Sequence, residues 1–340
     1  MLVGMTYDLR SEYLAKGFSE EEVAEFDSPR TVEGIETALK AAGHQCDRIG
    51  SLPSLVGRLA KGDRWDLVFN IAEGLGRYGR EAQIPALLEY YGVPYTFADP
   101  LTLCLTLHKG MAKRVVRDLG LATPDFAVVS EPKEAAGVRL PYPLFVKPVA
   151  EGTGRGIGSA SKVKGPEELA KACIELIGRY RQPVLVETYL PGREFTVGIV
   201  GTGSKARVIG VMEVTLRAGS GADPDAYTLR NKEECDDLVR YRRVKGFEAG
   251  QAGELALAAW RGLECRDAGR VDLRCDAHGL PNFLEVNPLA GLHPEHSDLP
   301  ILCSLVDYPY QKLIERIVAS AMDRAQADAR PVPSLAAGNC

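Results

Sequence analysis

Three residues in the stretch GRVDLRCDAHGLPNFLEVN, Asp272, Glu285 and Asn287, have side chains suited to holding a hard cation, and Arg270 stands beside them. The stretch reads as a β-hairpin whose turn is centred on Asp276-Ala277-His278-Gly279-Leu280-Pro281. Pairing Cys275 with Asn282 sets Asp272 opposite Glu285 and Arg270 opposite Asn287. Side chains alternate along a strand, so all four fall on one face. Two carboxylates beside an amide oxygen make a hard-oxygen site suited to Mg²⁺. Facing carboxylates also repel each other unless a cation lies between them. A solvated strand face carrying ordinary charges has the same composition, so the hairpin needs support from elsewhere in the chain.

Two further segments supply it. PLFVKPVAEGTGRGIGSASKV places Lys147 on a strand and four glycines (152, 154, 156 and 158) in the loop after it. Such a loop bends closely over a ligand and turns its N–H groups toward phosphate oxygens. It is not a Walker A loop, because no G-K-[ST] follows and it joins strand to strand. VLVETYLPGREFTVGIV then sets Glu187, Tyr189 and Leu190 at one strand end, where side chains and backbone suit an adenine. Glu194, after the Pro-Gly turn, suits a ribose hydroxyl. Taken singly, each of these is as well explained by a flexible turn or an exposed hairpin.

The elements that must position them follow from the pattern of the chain. The first hundred residues alternate short apolar strands (MLVGMTYD, WDLVFN, VPYTF) with helical stretches. Ser28, Pro29 and Gly43 punctuate one such helix as N-cap, first turn and stop. Strands alternating with helices predict a parallel sheet of Rossmann-like type, with ligands gathering at the strand ends. Residues 101–122 read as helical, and strand, helix and hairpin signals continue beyond them. Residues 217–245 are polar and irregular and read as a mobile loop; residues 326–340 read as a flexible tail. The expected domains are 1–100, 101–183 and 184–325, followed by that tail.

Composition narrows the function classes. The 340 residues carry 41 Lys+Arg and 46 Asp+Glu, for a formal net charge of −5. That balance argues against a nucleic-acid partner. No apolar run reaches the roughly 18 residues of a membrane span, and no secretory signal is visible. Eight scattered cysteines without a C-x-x-C pair fit a reduced, cytoplasmic protein. His293 and His296 flank Pro294 without an acidic cluster, which argues against zinc.

In order, the chain shows Lys109, Lys147 with its glycine loop, VETYLPGREF, RVD and LEVN. This resembles the ATP-grasp superfamily and, within it, the D-alanine–D-alanine ligase family. The likeness runs from about 66 to 300. It is carried also by WDLVFN, GVPYTF, LHKGMAK and NPLAGLHPEHSDLP. The resemblance implies an ATP-grasp fold: an N-terminal α/β domain and two α+β subdomains clamping ATP. It implies an ATP-dependent carboxylate–amine ligase that joins two amino acids through an acyl phosphate. Lys109, Lys147, Glu151 and Gly152 would then meet the nucleotide phosphates. Glu187, Tyr189, Leu190 and Glu194 would hold adenine and ribose. Asp272, Glu285 and Asn287 would hold two Mg²⁺ ions, or Mn²⁺ in their place. Arg270 and the Gly291 N–H would face the acyl phosphate and tetrahedral intermediate. Thr153 would help close the loop, Lys232 would act from the lid, and His296 and Ser297 would meet the second substrate's carboxylate. Relatives commonly dimerise through the N-terminal domain, so a homodimer is expected.

The departures fall on the substrate side. The family's G-G-x-S-x-E is missing, and Glu25 is the candidate for its ammonium-binding glutamate, with Glu22 and Asp27 as alternatives. The family's L-H-G stands here as Ala72-Glu73-Gly74, and Glu73 is therefore expected to favour a cationic or polar second substrate. A specialised-pathway ligase, a small-molecule kinase and a non-catalytic ATP-binding module are the competing classes. Arg270, Gly291 and Ser297 favour the ligase, since a kinase needs no second carboxylate site.

Overall fold

A computed structural model describes residues 1–216 and 238–328. Lys232 and residues 329–340 of the expected tail lie outside the described residues.

β1 (Leu2–Thr6) leads through α1 (Arg10–Leu14) and α2 (Pro29–Ala41) to β2 (Gln45–Gly50). α3 (Leu52–Ala60) leads on to β3 (Leu67–Asn70) and α4 (Gln83–Tyr90) follows. β1 lies between β2 and β3 and pairs with both in parallel. The Ser28 side chain accepts a hydrogen bond from the Thr31 N–H, as the capping signal requires. VPYTF does not form the expected strand. Only Tyr95 bridges to Val68, and the chain turns away at Phe97, whose φ is 72° and whose N–H donates to Asp267 at 2.7 Å.

α5 (Pro100–Leu107) and α6 (Lys109–Asp118) divide the helical stretch at His108, whose ring accepts from the Met111 N–H. The next sheet has the order β4 (Phe126–Val129), β7 (Val184–Thr188), β5 (Leu144–Pro148), β6 (Lys162–Val163). α7 (Pro166–Tyr180) covers it through Leu169, Cys173 and Leu176.

The third sheet contains β8 (Glu194–Val200), β9 (Arg207–Leu216), β10 (Val239–Arg243), β11 (Ala268–Cys275) and β12 (Pro281–Asn287), ordered β10-β9-β8-β11-β12. α8 (Phe247–Gly262) packs Ala252, Ala256 and Trp260 against it. β10 corrects the expectation of an irregular segment at residues 239–243, while residues 217–237 of that expected loop lie outside the described residues. In VRYRR, Val239 and Tyr241 alternate with arginines, and the apolar pair joins a small core beside β9.

α9 (Asp298–Leu305) and α10 (Tyr310–Asp328) close the described chain. α10 runs through residues 326–328, which were expected in the tail. It packs on α2, and one apolar core joins residues of the parallel sheet to Leu289, Leu299, Leu313 and Ile317. Among the described residues, no helix is long and apolar enough to cross a membrane.

Candidate active site

The β11–β12 hairpin is built differently at its tip from the pairing read in the sequence. Cys275 pairs with Pro281 and Arg274 with Asn282, one position away from the expected register. An irregularity beyond Leu273 then gives β12 one extra residue, Leu284, and restores Asp272 opposite Glu285 and Arg270 opposite Asn287. The bulge puts Leu284 into the wall of the adjoining cleft.

Asp272 is tightly held. Thr196 Oγ1 donates to its Oδ1 at 2.9 Å, Asn287 Nδ2 approaches its Oδ2 at 3.3 Å, and Arg270 forms an ion pair with it. Lys109 Nζ lies 3.2 Å from Glu285 and donates to the Glu151 carbonyl at 2.5 Å. The three oxygen-bearing side chains on adjacent strands fit Mg²⁺, with Asn287 contributing its amide oxygen once the amide turns.

Beside the hairpin lies a cleft of about 810 Å³ between the second and third sheets, lined by Lys147, Glu187, Tyr189, Leu190 and Glu194, among others. Lys147 and Glu187 come from neighbouring strands β5 and β7 and meet at 2.7 Å. Lys113 Nζ holds the other Glu187 oxygen at 2.8 Å. Burial works to raise the Glu187 carboxyl, but the two lysines outweigh it and hold it below its usual value. Burial pulls Lys113 down to about 8 against the attraction of Glu187. Lys162 stacks 4.2 Å from the centre of the Tyr189 ring, and Arg274 covers it at 5.2 Å.

A second cavity, of about 1660 Å³, lies toward the N-terminal sheet. It shares Lys109, Glu151, Arg270 and Glu285 with the cleft, so the two spaces meet at the cation site. Glu25, Glu73, Gly291, His296 and Ser297 all line it. Glu25 fastens the glycine loop to this wall: its carboxylate accepts from the Gly152 N–H at 2.6 Å and from Arg80 at 2.8 Å. The approach is close: a Cβ on residue 152 would sit 2.3 Å from Glu25 Oε1, so the carboxylate would have to shift to admit one. Of the alternatives, Asp27 lines the cavity, whereas Glu22 turns to Ser19 at 2.7 Å. Thr153, with a φ of 49°, also lines it, and its hydroxyl is buried without a partner. Ser297 Oγ accepts from the His293 N–H at 2.9 Å, and Asp298 lies 3.7 Å from Arg270. Burial, then the neighbouring Glu81, raises the Glu73 carboxyl well above its usual value.

Several contributors escape the sequence reading. Lys113 stands four residues after Lys109 on α6, and that helical spacing was the available signal. Arg274 and Thr196 share the alternation of the hairpin face and its neighbour. Nothing in GRYGREAQ announces that Arg80 and Glu81 would be buried at the cavity.

The chain is similar to proteins already known. Residues 115–319 match the family model described as D-ala D-ala ligase C-terminus. A D-alanine–D-alanine ligase of Bordetella petrii is 31% identical over 302 residues, spanning 88% of each chain. That of Bordetella pertussis is 35% identical over 259 residues, 75% of this chain and 78% of the relative. The D-alanine–D-alanine ligase of Bacillus anthracis complexed with ATP has the same fold, with a TM-score of 0.71 at 20% identity over 96% of this chain and 99% of that one. With the fold and the sequence in agreement, the chain belongs to the D-alanine–D-alanine ligase family and is an ATP-dependent ligase of ATP-grasp fold.

Proposed function

We propose that the protein joins two amino acids by an amide bond, D-alanine occupying at least one of the two positions as the names of its relatives suggest. The γ-phosphoryl group of ATP passes to the carboxylate of the first amino acid. The amine of the second attacks the acyl phosphate, and ADP and phosphate leave. The observation that carries this reading is the meeting of two cavities at Lys109, Glu151, Arg270 and Glu285. A nucleotide in the cleft would present its terminal phosphate to a carboxylate in the cavity.

The residues divide the work. Lys147 and Lys109 receive phosphate oxygens, with the loop at Glu151 and Gly152 closing over them. The Thr188 and Tyr189 N–H groups already donate to Asp125 and Pro143 at 2.9 and 3.1 Å, so Leu190 is the strand-end residue left to read the adenine edge through its backbone. Tyr189 contributes its ring, Glu187 its ion-paired carboxylate and Glu194 a ribose contact. Asp272, Glu285 and Asn287 would hold two Mg²⁺ ions, which when bound would supply neutralisation of phosphate charge. Arg270 and the Gly291 N–H stabilise the oxyanion of the tetrahedral intermediate. Ser297 and His296 bind the second substrate's carboxylate, and Thr153 closes the loop. Lys232 remains the proposed lid lysine. The protein acts on amino acids as its small-molecule substrates, as a cytoplasmic homodimer, without nucleic-acid or membrane partners.

A specialised-pathway ligase and a small-molecule kinase are not favoured by the comparisons. Hydroxylamine separates the ligase from the kinase directly. With ATP, Mg²⁺ and amino acid, the ligase yields an acyl hydroxamate; phosphorylation of a hydroxyl group yields none.

A further inference from the structure

The cavity proposed for the substrates is lined by more carboxyl groups than the reacting groups of two amino acids would pair with. Glu73, Glu81 and Asp27 all line it. Glu81 is 9% exposed, and neither it nor Glu73 has a hydrogen-bond or ion-pair partner among the described residues. The nearby cations have partners of their own: Arg10, on the same wall, donates to the Ala24 carbonyl at 2.9 Å. Arg80 is spent on Glu25 at 2.8 Å and on the Ala150 carbonyl at 3.1 Å. Lys109 serves Glu285 and Glu151, and Arg270 serves Asp272 and Asp298. The Thr153 hydroxyl facing the same space is also buried and unpaired.

A buried carboxylate without a partner is costly unless a cation or a proton reaches it. The first amino acid brings one α-ammonium, and the attacking amine of the second must be neutral to react. One positive charge against three unpaired carboxylates leaves a deficit.

We infer that Glu73 and Glu81 form a cation subsite, so that one of the two amino acids joined carries an amino group on its side chain. This rests on the ligase reading and concerns the side chain accepted, not the pathway. The geometry also accounts for the local electrostatics. Burial, opposed by Arg80 and aided by Glu25, pushes the Glu81 carboxyl up to about 7, so a bound ammonium would take the place of a proton. At acid pH the protonated pair would lose its preference for a cation.

The test is competition between isosteres. Ligation to D-alanine is followed by phosphate release and product mass at pH 8, with D- and L-lysine and ornithine set against D- and L-norleucine and serine. The expected kcat/KM for a basic amino acid exceeds that for norleucine by about tenfold or more. Glu73→Gln and Glu81→Gln should each shrink that ratio severalfold, whatever they do to the absolute rate. Equal kcat/KM for lysine and norleucine, a preference for serine over lysine, or a ratio untouched by both substitutions would overturn the cation subsite while leaving the ligase intact. Absence of ligation with every pair would overturn the ligase reading, and this inference with it.

Discussion

Glu187 shows how much of the site depends on charges held out of water. It is 3% exposed and bridges Lys147 and Lys113, the latter with no exposure at all. Removing one partner from a buried ion pair typically costs about 3–5 kcal/mol, because the remaining charge stays desolvated. Lys147 would still hold Glu187 in a Lys113→Met protein, so a loss of roughly 2–4 kcal/mol is expected. KM for ATP should rise with it; a melting temperature equal to the wild type's would show that the pair contributes nothing. Glu81 makes the opposite kind of contribution. Its carboxyl titrates above its usual value, chiefly through burial, so between about pH 4.5 and 7 the folded state holds more protons than the unfolded one. This group's contribution to stability therefore falls as pH rises through that window and stays low above it. Glu81→Gln removes the penalty, on the order of 1–3 kcal/mol. Thermal melts should show the variant gaining on the wild type at pH 8 and not at pH 5; an equal gain at both would contradict the assignment.

Among the elements, the β11–β12 hairpin carries the proposed metal ligands, and it shows what a sequence can and cannot reveal. Alternation alone brought Arg270, Asp272, Glu285 and Asn287 to one face, because the period of a strand is fixed by its geometry. The same argument placed Cys275 opposite Asn282, which the Leu284 bulge displaces. A bulge is a local choice among packings and leaves no mark on periodicity. The glycine loop and the Ser28 cap were legible because each rests on a residue type with a strong local role, glycine in tight turns and serine at helix starts. VPYTF was not, because its departure from the sheet depends on Asp267, 170 residues away. Arg80 and Glu81 were hidden for a similar reason: only the tertiary fold buries them. Gly269 tests the hairpin as a unit. A Cβ there would lie 2.4 Å from the Asn287 carbonyl oxygen and 2.7 Å from the Trp260 ring. Gly269→Ala must push β12 or α8 aside, so the expected result is destabilisation of about 1–3 kcal/mol together with a raised Mg²⁺ requirement. Wild-type Mg²⁺ dependence in a stably folded variant would separate Asn287 from the metal site.

At the scale of the molecule, the three sheets are bound into one working unit by contacts far apart in sequence. Asp267 is fully buried; it accepts from the Phe97 N–H and from Arg324, each at 2.7 Å, and Thr202 Oγ1 donates to it at 3.3 Å. It thus joins the end of the N-terminal region, the last helix and the third sheet. α10 packing on α2 and the shared apolar core hold the cavity wall against the strands that carry Arg270 and Glu285. The cleft proposed for the nucleotide and the cavity proposed for the amino acids thereby keep a common boundary, which is the geometric condition for passing a phosphoryl group to a carboxylate and then the acyl group to an amine, with phosphate leaving. The most direct test is the stoichiometry of that transfer. Phosphate release is measured with ATP and Mg²⁺, with and without pairs of amino acids including D-alanine, alongside mass spectrometry of the product. The account predicts phosphate only when amino acids are present, one amide bond for each phosphate, and silence in EDTA. Phosphate released without amino acid, or consumed with no amide formed, would contradict it.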